Sequence, residues 1–207
     1  MTTARHDFRV ESSIDIYTGK VFALRADEVV MPDGKTARRE IVETPGAVAI
    51  AALDPDDRIM FIYQYRPAVG RRLWELPAGL LDVAGEDPVE AARRELREEA
   101  GLEAAEWSVL LDLAPSPGYS DESVRLFLAR GLSEVGRPDL GDGDEEADLI
   151  TRWVTLTVAV RMVLAGTIVN STTVAAVLAA HALAGSPSAA RPVDAPWTDR
   201  PIRFAQR

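Results

Sequence analysis

The segment from Glu75 to Leu102, ELPAGLLDVAGEDPVEAARRELREEAGL, decides how this chain folds. Its second half predicts a helix over Pro88–Ala100. Asp87 is a suitable N-cap, Pro88 suits the first helical position, and Gly101 supplies a left-handed stop. The segment therefore predicts a loop that leads directly into a helix with defined ends.

One face of this helix is apolar and is expected to be buried. The apolar positions are spaced three, four and four residues apart, which places them on one side of a helix: Val89, Ala92, Leu96 and Ala100. We expect Glu90 to complete a capping box with Asp87. The preceding loop is also apolar, with Leu80, Leu81 and Val83, so it does not resemble an ordinary surface linker.

A second face of the helix gathers carboxylates. Glu95 and Glu99 are four residues apart and Glu98 is three from Glu95, so all three are neighbours on the helix surface. The helix dipole disfavours negative charge in a last turn, and hard divalent cations bind carboxylate oxygens. The cluster therefore indicates a metal site, although a solvated face of mixed charge is the commoner origin of such runs.

These residues resemble the Nudix box, a loop-helix-loop motif. Gly79, Glu86 and the run from Arg94 to Leu102 carry the resemblance, and the helical half matches at every specified position. In the first half, six residues rather than five separate Gly79 from Glu86. The resemblance implies a hydrolase that uses a divalent metal to cleave nucleoside diphosphates linked to another moiety.

The amino-acid composition argues against several other classes of site and of protein. The 207 residues include no cysteine and two histidines, His6 and His181, which argues against disulfides, zinc-thiolate sites, cysteine nucleophiles and a Ser-His-Asp triad. With 23 basic and 33 acidic residues the net charge is −10, which is unfavourable for nucleic-acid binding. The first residues lack an apolar signal region, and no apolar stretch is long enough to span a membrane. We expect a soluble, cytoplasmic protein.

The rest of the chain predicts short strands and two further helices. The strands expected are Phe8–Ile16, Lys20–Val30, Arg38–Val42, Ala47–Leu53, Ile59–Tyr65, Arg72–Leu76, Trp107–Leu113, Val124–Ala129 and Arg152–Leu156. The additional helices are expected at Val158–Leu164 and Ser171–Leu183. Strands Ala47–Leu53 and Ile59–Tyr65 are interpreted as a buried hairpin.

This order of elements predicts an α+β fold. Together with the resemblance it implies an α/β/α Nudix sandwich with a mixed sheet, preceded by a small antiparallel N-terminal β segment. The predicted division is 1–44 for that segment, 45–185 for the Nudix domain and 186–207 for a Pro/Ala-rich tail. The N-terminal segment has too few large apolar residues for a core of its own. The tail is expected to be surface-tethered or disordered.

Segments outside the box resemble ADP-ribose pyrophosphatases of the same family. The similar stretches are Arg39–Val42, Pro45–Val48, Gln64–Arg66 and Trp74–Gly79, and Pro117 stands sixteen residues past Gly101. The resemblance implies hydrolysis of the pyrophosphate of ADP-ribose to AMP and ribose 5-phosphate. It also implies a homodimer whose N-terminal strands reach across to the partner.

Residue roles follow from the same resemblance. The metal ligands implied are Glu95, Glu99, the backbone carbonyl of Ala78 and Glu98, with Mg²⁺ or Mn²⁺ as the ion. The general base would come from Glu145 or Glu146 in the acidic loop 140–148. The substrate-binding residues implied are Arg39 (placed in the partner's site), Arg66, Leu80, Pro117, Gly118 and Glu122. Independently of the resemblance, Tyr65, Trp74 and Tyr119 are aromatic residues able to stack on adenine, but their spacing does not choose among them, and a place in the core or at the rim is the commoner role for each.

Two other functions remain open at this point. One is a Nudix hydrolase that acts on another ADP-sugar, on NADH or on a dinucleoside polyphosphate. The other is a sensor that binds ADP-ribose without cleaving it. The sensor is disfavoured because the carboxylates of the motif are all present and no helix-turn-helix extension is visible.

Overall fold

A computed structural model describes residues 6–138, 148–183 and 190–207. The strands are β1 (Val10–Thr18), β2 (Ala23–Val30), β3 (Thr36–Glu43), β4 (Ala47–Ala52), β5 (Arg58–Arg66), β6 (Arg71–Glu75), β7 (Ala78–Leu80), β8 (Leu102–Leu113), β9 (Val124–Glu134) and β10 (Ile150–Thr155). The helices are α1 (Pro88–Ala100), α2 (Leu156–Leu164) and α3 (Ser171–Leu183). No helix in the described ranges is both long and apolar enough to span a bilayer.

The first three strands form a separate antiparallel sheet in the order β1-β2-β3. Every residue of β1 is exposed to solvent, whereas Ala23, Ala26 and Asp27 of β2 are buried. The sheet therefore has one side without cover in a single chain. Its presence confirms the expected antiparallel N-terminal strands.

The remaining strands form a three-stranded sheet, β10-β5-β6, and a four-stranded mixed sheet, β7-β4-β9-β8. In the mixed sheet β4 and β9 are parallel, and their other neighbours are antiparallel. Central strand β4 is apolar along its whole length and almost wholly buried, as expected for a strand covered on both faces.

Side chains of β4 point alternately to two hydrophobic clusters. Ala49 and Ala51 pack in the cluster that contains residues of α2 and α3. Val48 and Ile50 pack in the cluster that contains residues of α1. Helices thus cover the sheets on both sides, which confirms the α+β sandwich with a mixed sheet.

Helix α1 has the predicted bounds. Asp87 caps it by accepting a hydrogen bond from the Val89 backbone N–H at 3.0 Å, and Gly101 ends it with φ 66° and ψ 30°. The expected capping box is wrong in one respect, because the Glu90 carboxylate accepts from Arg93 Nη1 at 2.6 Å. The side chain of Glu90 is exposed and finds an arginine one turn along the helix.

Other differences from the sequence-based expectation concern pairing between distant segments. Strands β4 and β5 belong to different sheets, and the isolated bridge Leu53↔Ile59 lies just beyond the end of β4, so the expected hairpin is wrong. Strands β8 and β9 are longer than expected because they pair from Leu102↔Glu134 onward. Short β7 was not expected, and the loop residue Val83 is 53% exposed rather than packed.

Residues 190–207, which we call the C-terminal arm, lie against the core. Arg191 and Val109 exchange backbone hydrogen bonds at 2.9 and 3.0 Å, and the Trp197 indole N–H donates to Ser123 Oγ at 2.9 Å. Disorder is therefore the wrong expectation for these residues, and attachment to the surface is the right one. The composition of this segment resembles that of a linker. It is nevertheless attached, because a few of its tryptophan and arginine side chains bond to partners in the core.

Candidate active site

Strand β7 and the C-terminal half of α1 meet at Gly79. A Cβ atom at this position would lie 1.9 Å from Glu95 Oε1. Two non-bonded atoms cannot approach that closely, so a side chain here would displace the carboxylate. Glycine is therefore required by the close approach of the Glu95 carboxylate to the backbone. The additional residue between Gly79 and Glu86 does not prevent this approach.

Two carboxylates of α1 are buried beside this backbone. Glu95 is 8% exposed and Glu99 is 6% exposed, and Glu99 Oε2 accepts a hydrogen bond from the Ala78 N–H at 2.8 Å. Buried carboxylates need compensating charge or hydrogen bonds. The pair therefore occupies a position where a cation would stabilise it.

Arg94 is the cation that the protein itself supplies. Its guanidinium donates to both oxygens of Glu86 at 3.2 Å, to Glu95 Oε1 at 2.7 Å and to Glu98 Oε2 at 3.0 Å. The hydrogen bonds that Arg94 donates to Glu86, followed by the charge of Glu95 and the hydrogen bonds to Glu98 and Glu95, raise the pKa of Arg94 above its ordinary value. These charge-assisted bonds fix the rotamers of three acids at once.

The donor set fits a hard divalent ion. Glu95 and Glu99 offer carboxylate oxygens next to the backbone of Ala78, and the missing side chain of Gly79 lets the Glu95 carboxylate reach this position. In the part of the chain that the structure describes, no three Asp, Glu, His or Cys side chains form a complete metal cage. Such a site suits an ion like Mg²⁺, which retains several waters and binds through one or two carboxylates and substrate phosphates.

A cleft of about 460 Å³ opens directly beside these groups. Of the residues predicted to bind substrate or metal, it is lined by Arg66, Ala78, Leu80 and Glu122, together with Gly79. The structure therefore brings these predicted residues together around one cavity next to the carboxylate pair.

Arg66 is held in the cleft by a buried partner. Its Nη2 lies 2.7 Å from Glu75 Oε2, and Glu75 is only 2% exposed. The Arg66 side chain is 44% exposed and lines the cleft, so Glu75 orients a guanidinium that borders the cavity. Glu75 was not expected as a site residue, although it lies within the Trp74–Gly79 stretch that carries the resemblance.

The start of α3 also lines the cleft and was not expected there. The residues concerned are Asn170, Thr172 and Thr173. Asn170 Oδ1 accepts from the Thr173 N–H at 2.9 Å, and Thr173 Oγ1 accepts from the Leu76 N–H at 3.2 Å. The sequence predicts the helix Ser171–Leu183, but only the fold places its start beside the cleft.

The loop between β8 and β9 contributes Glu122 to the cleft. Burial, followed by the charge of Asp121, raises the pKa of the Glu122 carboxyl. Pro117 and Gly118 stand on an exposed turn of the same loop, closed by the Tyr119 N–H donating to the Ser116 carbonyl at 3.2 Å. These two residues do not line the cleft itself.

Arg39 is not brought to the cleft of its own chain. It is exposed on β3, and its Nη1 donates to the Arg38 carbonyl at 2.9 Å. Tyr65 and Tyr119 are exposed by 53% and 61%, whereas Trp74 packs on Tyr63 with ring centroids 4.6 Å apart. The expected bases, Glu145 and Glu146, lie outside the described residues.

Comparisons with known proteins agree with this geometry. Residues 36–174 match the model of the NUDIX domain. The chain is 55% identical over 204 residues to the ADP-ribose pyrophosphatase of Mycobacterium tuberculosis, covering 99% of this chain and 98% of that protein. It is 41% identical over 162 residues to the methanol dehydrogenase activator of Bacillus methanolicus, covering 78% and 86%.

A solved structure shares the fold. The crystal structure of an ADP compounds hydrolase superposes with a TM-score of 0.75 at 20% identity, covering 89% of this chain and 98% of that one. The domain match spans more than half of the sequence and includes the carboxylate pair, Gly79 and Arg94. The chain belongs to the Nudix family of hydrolases.

Proposed function

We propose that this protein hydrolyses the pyrophosphate bond of ADP-ribose, which yields AMP and ribose 5-phosphate. The observation that carries the proposal is the 55% identity to an ADP-ribose pyrophosphatase over almost the whole of both chains. At the site, the buried carboxylates of Glu95 and Glu99 lie beside a cleft that holds an arginine. This arrangement suits a small substrate with two phosphates.

The proposed metal ligands are Glu95, Glu99 and the Ala78 carbonyl, with Glu98 as a further ligand and Mg²⁺ or Mn²⁺ as the ion. A bound divalent ion polarises phosphoryl oxygens and lowers the pKa of a coordinated water. Arg94 holds the carboxylates of Glu95 and Glu98 in place. The protein thus presents its oxygen donors already oriented, which reduces the reorganisation needed when the reaction begins.

Arg66 is proposed to bind the phosphates. A planar guanidinium pairs well with phosphate oxygens, and Glu75 orients this one through three hydrogen bonds of 2.7 to 3.2 Å. Leu80 and Glu122 border the same cleft, and with Pro117 and Gly118 they are proposed to contact the rest of the substrate. Either Glu145 or Glu146 is proposed as the general base.

The N-terminal β segment is proposed to form a homodimer in a cytoplasmic protein. It carries seven large apolar side chains that are 43 to 59% exposed: Phe8, Val10, Ile14, Ile16, Tyr17, Val21 and Phe22. Exposed apolar patches of this kind mark interaction surfaces. A second copy on this surface would also bring Arg39 near the partner's cleft, with residues 1–44 as the dimer-forming unit.

Product analysis tests the proposed function. The protein is incubated with ADP-ribose and either Mg²⁺ or Mn²⁺, and AMP and ribose 5-phosphate are quantified against a panel of ADP-sugars, NADH and dinucleoside polyphosphates. The expected result is the highest kcat/KM for ADP-ribose. A higher value for another substrate, or binding of ADP-ribose without turnover, would overturn the assignment. Heavy-oxygen water in the same reaction identifies the attacked phosphorus.

A further inference from the structure

A fully buried carboxylate lies at the end of β3, outside the active site. Glu43 has 0% exposure and pairs with three arginines. Arg25 Nη1 lies 2.5 Å from its Oε1, Arg203 Nε lies 3.3 Å from the same oxygen, and Arg207 Nε donates to Oε2 at 2.7 Å. Two of these three cations belong to the C-terminal arm.

The C-terminal arm is attached to the core before it reaches Glu43. The buried side chain of Arg125 on β9 donates to the backbone carbonyls of Ala195 and Pro196 at 2.8 and 3.1 Å. Arg191 pairs with Asp112 at 2.9 Å. Further along, the ring of Pro201 lies against Gly46. The arm is thus attached at several points, and Arg203 and Arg207 arrive at Glu43 from a fixed direction.

The backbone around Glu43 is bonded directly to the substrate loop, which we define as residues 116–123. The Val42 N–H donates to the Tyr119 carbonyl at 2.8 Å, and the Asp121 N–H donates to the Val42 carbonyl at 3.0 Å. On the other side of Glu43, the Thr44 N–H donates to Asp121 Oδ1 at 2.8 Å. These three hydrogen bonds therefore join the end of β3 to the substrate loop.

We propose that Arg203 and Arg207 are positioning residues that act through Glu43 to fix the substrate loop, and with it Glu122, at the edge of the cleft. The consequence for catalysis rests on the function proposed above. Neither arginine touches the cleft, so each acts on substrate binding only through the loop. The arm thereby contributes to the site although it lies outside the motif.

The physical reason is the charge of Glu43. A buried carboxylate that loses its cations is left uncompensated, and the surrounding structure must shift to admit water or another donor. Arg25 alone cannot replace the arm, because it also pairs with buried Asp27 at 3.1 Å. The flanking residues Val42 and Thr44 carry the hydrogen bonds to the loop, so a shift at Glu43 loosens the loop directly.

The test compares full-length variants of the arm. Arg203→Ala/Arg207→Ala removes both cations, and Arg203→Lys/Arg207→Lys retains their charge. Glu43→Gln leaves the three arginines around a neutral amide, so it weakens the same link from the side of β3. Arg200→Ala is the matched control, because Arg200 belongs to the arm but lines a different cavity beside Trp197. Each variant is first checked for cooperative thermal unfolding.

Two measurements are made on each variant. Hydrogen exchange of peptides covering residues 116–123 reports on the loop without any need for activity, and steady-state kinetics with ADP-ribose separate KM from kcat. For the double alanine variant we expect faster hydrogen exchange of the loop. We also expect KM to rise about tenfold while kcat stays within about twofold of the wild-type value, since loss of uniform binding raises KM alone. The lysine variant is expected to restore most of both values, and Glu43→Gln to resemble the alanine variant.

The outcomes separate this proposal from the proposed function. Unchanged loop exchange in the double alanine variant and in Glu43→Gln would overturn the positioning role, whatever the activity of the wild-type protein. An equal loss for Arg200→Ala would also overturn it, because the effect would then belong to the arm in general. If the variants show faster loop exchange but the wild-type protein does not cleave ADP-ribose, the positioning of the loop is supported and the proposed substrate is refuted.

Discussion

At the active site, the choice of amino acid at a position depends on how closely neighbouring atoms approach it as well as on the chemistry of the side chain. Gly79 is an example, since its missing Cβ leaves the space that Glu95 Oε1 occupies. The same carboxylate is held by Arg94 at 2.7 Å. A change at either residue therefore alters the position of an oxygen donor without touching the substrate.

Gly79→Ala is predicted to lower kcat while the protein stays folded. The new Cβ would collide with the Glu95 carboxylate and displace it, and a displacement of about 1 Å can reduce the rate roughly 100-fold. Steady-state kinetics and circular dichroism measure the two effects. Val83→Ala in the following loop is the control, because that side chain is 53% exposed. Unchanged kcat in Gly79→Ala would contradict the packing described.

Glu122 gives a prediction about pH. Burial raises its folded-state pKa above the ordinary value of 4.5, so the folded protein binds more protons than the unfolded chain just above pH 4.5. The contribution of Glu122 to the free energy of unfolding therefore falls as the pH rises through that window. Glu122→Gln lacks this term, so its stability relative to the wild type should increase from pH 4.5 to 7 in urea unfolding. Parallel pH profiles of the two proteins would contradict the raised pKa.

At the scale of elements, α1 is stabilised at its N-terminus by Asp87 and not by a capping box. Asp87→Ala should reduce the free energy of unfolding by about 1 kcal/mol, which is typical for loss of an N-cap. Glu90→Ala should reduce it by less than about 0.5 kcal/mol, because an exposed pair with Arg93 contributes little. Urea denaturation measures the free energy of unfolding of both variants. An equal loss for Asp87→Ala and Glu90→Ala would show that Glu90 does take part in a capping box.

Elements defined by local signals could be predicted from the sequence, whereas those defined by distant partners could not. Helix α1 has its cap and its glycine stop within fifteen residues, so its bounds were predictable. The pairing of β4 with β9 joins Ala47 to Val124, and nothing near β4 signals it. The sequence predicts pairing between β4 and β5 because these two strands are neighbours along the chain.

The candidate site divides in the same way. Glu95, Glu98 and Glu99 were found because they share one helix, and Arg66 and Leu80 because their local motifs carry the resemblance. Glu75 and Thr173 reach the cleft only through the packing of β6 and α3. The arm was missed because its composition resembles a linker, while its order depends on buried partners such as Arg125 and Ser123.

At the scale of the whole molecule, the uncovered N-terminal sheet predicts a dimer. Ile14 and Ile16 on β1 are 54% and 46% exposed, and replacing both by glutamate should place charge in the interface. Light scattering at micromolar concentration should show a dimer for the wild type and a monomer for the double variant. Leu164→Glu is the control, since Leu164 is 79% exposed on α2 instead. A monomeric wild type would refute the dimer.

In the proposed function, the buried carboxylates of α1 support cleavage of ADP-ribose, and the variant Glu99→Gln removes one of them. Glutamine can still accept the hydrogen bond from the Ala78 N–H, so the fold should remain intact, with Glu103→Gln as an exposed control on β8. With saturating ADP-ribose and Mg²⁺, kcat for AMP formation should fall by at least roughly 100-fold, the scale seen when a preorganised electrostatic group is removed. Folded Glu99→Gln protein that releases AMP at the wild-type rate would contradict the account.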